Sequence, residues 1–152
     1  MNRSHLHQTF AYGAVSGLLV IRPDDVGILS LYGPVTSDVF ERLRCRVLTR
    51  TAKPLRAVCL RLDRAVVVFG EKCLAALAVE TYLSVSAAIV VAPDLQKMFQ
   101  PYAWRMAECG YTRAVFTSPA EALLWSVAQS RLAKAQSAWQ AQRAACALLK
   151  AA

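Results

Sequence analysis

Residues 64–77 read Arg64-Ala-Val-Val-Val-Phe-Gly-Glu-Lys-Cys-Leu-Ala-Ala-Leu77, an apolar run that passes through one glycine into a helical pattern. The valines favour an extended strand, whereas Leu74 and Leu77 recur at the spacing of one helix face. No Ser or Thr occurs between Ala52 and Glu80, so this strand-to-helix connection carries no hydroxyl side chain. The elements on either side of the connection decide which fold it belongs to.

Two apolar runs lie upstream, at Val15–Ile21 and at residues 26–32. The tetrapeptide Arg22-Pro-Asp-Asp25 separates them, and a Pro followed by paired Asp residues favours a turn. The two runs are therefore expected to form an antiparallel hairpin that ends at Gly33-Pro34.

A first helix is expected after the hairpin, because Thr36, Ser37 and Asp38 suit an N-cap and a first turn. Lys53-Pro54 should end this helix. Its buried stripe would consist of Phe40, Leu43 and Val47. A second helix is predicted over residues 70–83.

Residues 56–62 have almost no polar face and suit a strand in the middle of a covered sheet. Residues 87–91 are again typical of a buried strand, and residues 112–116 are predicted to form the last strand. A helical segment should begin at Pro93, where Pro101 predicts a kink or two shorter helices. Gly110 is placed to form a left-handed C-terminal cap.

Ser118-Pro-Ala-Glu121 predicts the start of the last helix, since it combines a capping Ser, a Pro at the first helical position and a Glu three residues after the cap. Neither Gly nor Pro occurs from Ala120 to Ala152. The helix should therefore run for roughly thirty residues, near 45 Å.

This order of elements predicts an α/β domain with a single mixed sheet of about five strands, an antiparallel entry hairpin, a mostly parallel remainder and about four helices. We expect a flexible leader over residues 1–13, one domain over 14–129 and a helical extension over 130–152.

The element order, Gly33 after the second strand, the strand that ends at Leu62-Asp63, and the closing run from Arg113 to Trp125 together resemble a STAS-type domain. That family comprises sulphate-transporter tails, anti-sigma-factor antagonists and similar stand-alone bacterial proteins. In the antagonist branch, a serine in the loop after the third strand is phosphorylated by the partner kinase. Phe69-Gly70-Glu71 falls nearest that position in this chain, and none of these residues offers a hydroxyl group.

The resemblance thus implies a protein-docking module without a phosphorylation switch. The docking residues would be Asp63, Arg64, Phe69, Gly70, Glu71 and Lys72. Two interpretations of Glu71 stay open: it imitates a permanent negative charge, or it stabilises a helix N-terminus as acidic residues there commonly do.

The last helix carries a narrow apolar seam with a seven-residue repeat, formed by Trp125, Leu132, Trp139 and Cys146, with Ala128, Ala135 and Leu149 between them. The helix beyond about Gln129 is longer than is needed to cover the sheet. We therefore expect Leu132, Trp139 and Leu149 to pack on a second copy, which would form a homodimer, or on another protein. The alternative is a helix that folds back on its own domain.

Charge and composition narrow the function classes. The net charge of +8 is scattered without interleaved aromatic residues, which favours a solvated basic face over a nucleic-acid site. No apolar run reaches the roughly 18 residues that cross a bilayer, and the first residues lack a signal peptide's apolar stretch, so a cytoplasmic protein is expected.

Neither a cofactor nor a metal is expected. The five cysteines form no CxxC pair and are predicted to be reduced and buried, and His5-x-His7 is the closest approach to clustered ligands. No Gly-rich phosphate loop or Gly-x-Ser-x-Gly elbow occurs.

We therefore expect a non-enzymatic regulatory or scaffold module with an unknown protein partner. A small-molecule or lipid carrier is the alternative, because residues 95–106 are rich in large apolar groups that core packing also explains. Catalysis by a site that the fold assembles from distant residues is the third and weakest hypothesis for the function.

Overall fold

The structure, a computed structural model, describes residues 6–36, 38, 55–68 and 86–151. Within these ranges the chain forms seven strands, a short 3₁₀ turn at Pro93–Leu95 and two α-helices. The strands are Leu6–Tyr12 (β1), Val15–Ile21 (β2), Val26–Val35 (β3), Ala57–Arg61 (β4), Ala65–Val67 (β5), Ser86–Val90 (β6) and Arg113–Phe116 (β7). The helices are Gln96–Glu108 (α1) and Pro119–Ala151 (α2).

The strands form one mixed sheet in the order β1-β2-β3-β4-β6-β7, with β5 paired to β3 off this path. The pairs β1–β2 and β2–β3 are antiparallel, and the pairs β3–β4, β4–β6 and β6–β7 are parallel. The predicted sheet type, with an antiparallel entry and a parallel remainder, is confirmed. The two helices predicted before β4 and before β6 lie outside the described residues.

The strand count differs from the expected five. Residues 6–12, expected in a flexible leader, form β1, which pairs with β2 from Leu6↔Ile21 to Tyr12↔Val15. Phe10 and Tyr12 pack against the core from this strand. Pairing along its whole length, together with two partly buried rings, stabilises a segment whose polar residues did not predict a strand.

The antiparallel pairing of the hairpin ends at Tyr32, directly before the predicted break at Gly33-Pro34, but β3 itself continues to Val35. Up to Ser30 it pairs with β4, and from Gly33 to Val35 it pairs with β5. Gly33 has φ +94°, so the strand bends at a residue that tolerates this conformation and changes partner there without ending.

Side chains of successive residues in β4 and β6 point to opposite faces of the sheet and enter two separate apolar clusters. One cluster contains Val58, Leu60 and Ile89 and is covered by Phe99, Tyr102 and Met106 of α1. The other contains Cys59, Ala88 and Val90 and is covered by Ala122 and Trp125 of α2. Both strands are therefore covered on both faces, which explains why their sequences lack a polar face.

Helix α1 runs through Pro101 as one helix, so the expected division into two shorter helices is wrong. A proline at that position removes one backbone hydrogen bond and costs about 3 kcal/mol. Burial of Phe99, Tyr102, Ala103 and Met106 against the sheet offsets this cost. The helix ends as predicted at Gly110, where φ is +88° and the N–H groups of Gly110 and Tyr111 donate to the carbonyls of Ala107 and Met106.

Helix α2 begins as its capping box predicts, with the Glu121 N–H donating to Ser118 Oγ at 3.3 Å. It continues without interruption to Ala151. The helix therefore does not turn back on the domain, and the predicted length of roughly thirty residues is confirmed.

Candidate functional site

The connection after β4 forms a tight loop at the carboxyl edge of the parallel strands. Leu62 is 1% exposed, its N–H donates to the Val90 carbonyl at 2.8 Å, and its own carbonyl accepts from the Ala65 N–H at 3.1 Å. These bonds anchor the loop on both sides, so that Asp63 and Arg64 lie between two fixed points. In open α/β sheets, ligands bind at this edge of the sheet.

Arg61 and Asp63 form a two-point ion pair across the loop. Arg61 Nε donates to Asp63 Oδ1 at 3.2 Å, and Nη2 donates to Oδ2 at 2.8 Å. Partial burial acts to raise the pKa of Asp63, but the hydrogen bonds and the charge of Arg61 outweigh it, so the pKa lies below its ordinary value. The hydrogen bond to Asp63 in turn raises the pKa of Arg61. Both side chains are therefore charged and held to each other at neutral pH.

Strand β5 presents an outward row of side chains beside this ion pair. Arg64, Val66 and Val68 are exposed, whereas Ala65 and Val67 are half-buried against the core. Val66 is 63% exposed and Val68 is 56% exposed, unusually high values for large apolar side chains in a strand. The Val68 N–H donates to the Val35 carbonyl at 3.0 Å, which fixes the end of the row. We call Asp63, Arg64, Val66 and Val68 together the edge surface.

Of the predicted docking residues, Asp63 and Arg64 belong to the edge surface. Phe69, Gly70, Glu71 and Lys72 lie outside the described residues. Val66 and Val68 were not predicted. Their signal in the sequence is the run of three valines, but an unbroken apolar run does not show which of its two faces is exposed.

The far end of α2 lies at the opposite edge of the sheet. The helix starts after β7 at the carboxyl edge, and Ser130 Oγ donates to the backbone carbonyl of Asp24 in the turn between β2 and β3. Beyond Ser130, every residue to Ala151 is exposed except Ala133, which is half-buried. The predicted self-association residues Leu132, Trp139 and Leu149 are 52%, 58% and 77% exposed, and their pairing with a second copy stays a prediction.

The cysteines differ from one another in exposure. Cys59 is buried, and burial raises the pKa of its thiol to about 11, which suppresses the reactive thiolate. Cys109 and Cys146 are exposed free thiols, so the expectation that the set is buried is wrong for these two. Cys45 and Cys73 lie outside the described residues.

The described ranges contain neither a cluster of metal ligands nor a membrane-spanning helix. Residues 6–36, 38, 55–68 and 86–151 hold no group of three or more His, Cys, Asp or Glu that could bind a metal ion. Neither α1 nor α2 is long and apolar enough to cross a membrane.

Known proteins similar to this chain are found among solved structures. No protein-family model and no curated protein match the chain. Among solved structures, the chain is similar to the crystal structure of an anti-sigma factor antagonist from Mycobacterium paratuberculosis, with 13% identity and a TM-score of 0.47. The match covers 83% of this chain and 97% of that chain. This match and the resemblance seen in the sequence name the same kind of protein, an anti-sigma-factor antagonist.

Proposed function

We propose that this protein is a non-enzymatic, STAS-type regulatory or scaffold module that binds another protein through the edge surface and the adjoining residues 69–72. The observation that carries the proposal is the pair of exposed valines, Val66 and Val68, beside the fixed Arg61–Asp63 ion pair.

A partner that covered the edge surface would gain free energy from apolar burial. Covering Val66 and Val68 would remove most of two large apolar side chains from water, which stabilises a complex by about 1–2 kcal/mol for each. Arg64 and the ion pair lie beside the valines and limit which partners fit, because a mismatched charge next to a covered apolar patch is costly. Apolar anchors beside charged residues are typical of protein interfaces.

The loop of this module cannot be switched by phosphorylation, because residues 53–79 contain neither Ser nor Thr. Partner binding at the edge surface would therefore depend on partner concentration rather than on a kinase. Under this proposal, Glu71 either supplies a constant negative charge to the partner or stabilises a helix N-terminus.

No observation in the described part of the chain favours a lipid or small-molecule carrier. That alternative rested on the large apolar residues of 95–106, and three of these, Phe99, Tyr102 and Met106, are buried in the core beneath α1. Burial of Tyr102 also raises the pKa of its hydroxyl, although Arg113 offsets part of this shift.

The test is partner binding by edge-surface variants, with the partner identified first by affinity capture from the native cell. Val66→Thr with Val68→Thr keeps β-branched side chains in the strand and replaces one methyl of each with a hydroxyl. We expect at least tenfold weaker binding, with an unfolding transition close to that of the wild type. Phe69→Ala with Glu71→Gln should weaken binding in the same way.

Trp104→Ala is the matched control, since Trp104 on α1 is 63% exposed and lies outside the edge surface. This variant should bind like the wild type. Partner binding that survives both double substitutions, or that Trp104→Ala removes, would contradict the proposed site.

A further inference from the structure

The second half of α2 projects from the domain as a free helix. Ser130 is 3% exposed and is the last buried residue of the helix. Residues 131–151, which we call the tail, extend about 30 Å beyond it at 1.5 Å per residue. A single helix of this length is not stabilised by its own backbone in isolation, although continuity with the anchored half supports it.

The apolar side chains of the tail are concentrated on the face that points away from the sheet. With about 100° between successive residues, Ala122, Ser126 and Ser130 define the face that meets the sheet. The seam residues Leu132, Ala135, Trp139, Cys146 and Leu149 lie on the opposite face. Leu124, which is 72% exposed, extends this seam over the anchored half of the helix.

The tail is basic throughout. From Ala122 to the end of the chain there is no Asp or Glu, whereas Arg131, Lys134, Arg143 and Lys150 give a formal charge of +4. Arg131, Arg143 and Lys150 flank the seam on its two sides, at positions next to the seven-residue repeat. The Arg143 guanidinium lies 4.7 Å from the centre of the Trp139 ring, which places a positive charge on the seam itself.

We propose that the tail binds an acidic α-helix of a partner protein, which packs along the seam in the manner of a coiled coil and places carboxylates against Arg131, Arg143 and Lys150. Charge complementarity favours an acidic partner helix over a second copy of this chain as the occupant of the seam. A second copy would bring another +4 tail and no carboxylate along it, so none of the flanking cations could form an ion pair with its counterpart.

The shape of the seam favours a helix over a lipid surface. Alanines separate the few large residues, so the apolar stripe is narrow, and a partner helix can approach closely along it. A helix that lies on a membrane needs a broad face of large apolar residues, and Leu148 stands on the far side from the seam. The tail and the edge surface lie at opposite edges of the sheet, so this proposal does not depend on the proposed function.

The experiment measures binding of two designed heptad peptides to the full chain by fluorescence anisotropy. Both peptides carry Leu at the seam positions, with Glu flanking the seam in one peptide and Gln in the other. We expect the Glu peptide to bind at least tenfold more tightly at low ionic strength, and the difference to shrink as salt is added.

Neighbouring residues supply matched variants. Leu149→Ala and Arg143→Glu should each weaken binding of the Glu peptide at least threefold, because they change the seam and its flank. Leu148→Ala and Lys134→Glu should leave binding unchanged, since Leu148 is 74% exposed but faces away and Lys134 lies off the seam. All four positions are exposed, so folding should be retained.

Several results would overturn the proposal. These are equal binding of the Glu and Gln peptides, equal losses in the two leucine variants, or no binding of either peptide. A molecular mass of a dimer by light scattering, abolished by Leu149→Ala, would assign the seam to a second copy. Binding to vesicles of phosphatidylserine that is lost in the same variants would assign it to an anionic membrane.

Discussion

Replacing Gly33 by Ala tests the bend at which β3 changes partner from β4 to β5. Two costs add at this position. An L-residue at φ +94° pays about 1–2 kcal/mol for the left-handed conformation. A Cβ at Gly33 would also lie 2.5 Å from the backbone carbonyl oxygen of Ala14, and backbone atoms cannot rotate away as a side chain can. Moving these backbone atoms costs about 1–3 kcal/mol more, by analogy with overpacked cores.

Gly110 offers a matched control, because its φ is +88° but nothing lies within 4 Å of a Cβ built there. Gly110→Ala should therefore cost only the conformational part, about 1–2 kcal/mol. We expect urea titrations to show that Gly33→Ala lowers the free energy of unfolding by about 2–5 kcal/mol, and by at least about 1 kcal/mol more than Gly110→Ala. Equal losses in the two variants would refute the close approach of Gly33 to Ala14 and, with it, the described path of β3.

Three further predictions concern individual side chains. Ser130→Ala should lower the free energy of unfolding by about 1 kcal/mol by removing the bond to the Asp24 carbonyl, whereas Ser137→Ala, in the exposed tail, should be neutral or slightly stabilising by thermal melts. Because its folded-state pKa is lowered, the ionised Asp63 stabilises the fold above its unfolded pKa of about 3.9. The difference in unfolding free energy between wild type and Asp63→Asn should therefore be full at pH 7 and should shrink as the pH falls from the unfolded pKa through the folded pKa, and a difference that does not shrink on acidification would contradict the ion pair. In the native protein, mass mapping after brief alkylation at pH 8 should find Cys109 and Cys146 labelled and Cys59 unlabelled, and labelling of Cys59 at a comparable rate would contradict its burial.

Local signals in the sequence predicted the boundaries that depend on short-range geometry. The capping box at Ser118 and the left-handed Gly110 each satisfy backbone groups within a few residues of themselves, so the residues involved are adjacent in the sequence. The turn at residues 22–25 was predictable for the same reason, since the Arg22 N–H donates to the carbonyl of Val26, only four residues away.

Features that depend on distant contacts were not predictable in this way. Strand β1 exists because β2 offers it a full antiparallel edge, and Pro101 is tolerated because α1 buries four residues on the sheet. In the edge surface, pairing of β5 with the end of β3 determines that Val66 and Val68 face outwards while Val67 faces the core. The sequence shows that the segment is apolar, but it does not show which of its faces is exposed.

The two proposed surfaces lie at opposite edges of one sheet, and the anchored half of α2 packs on the face of that sheet. A partner at the edge surface and a partner on the tail could therefore bind at the same time without meeting. Such an arrangement is suited to a scaffold, which holds two proteins near each other and raises their effective concentration.

Site-specific photo-cross-linking in the native cell tests the central claim most directly. A photoreactive residue placed at Val68 should yield a defined cross-linked species with another protein, and the same residue placed at Trp104 should not. A cross-link from Trp104 with none from Val68 would contradict docking at the edge surface.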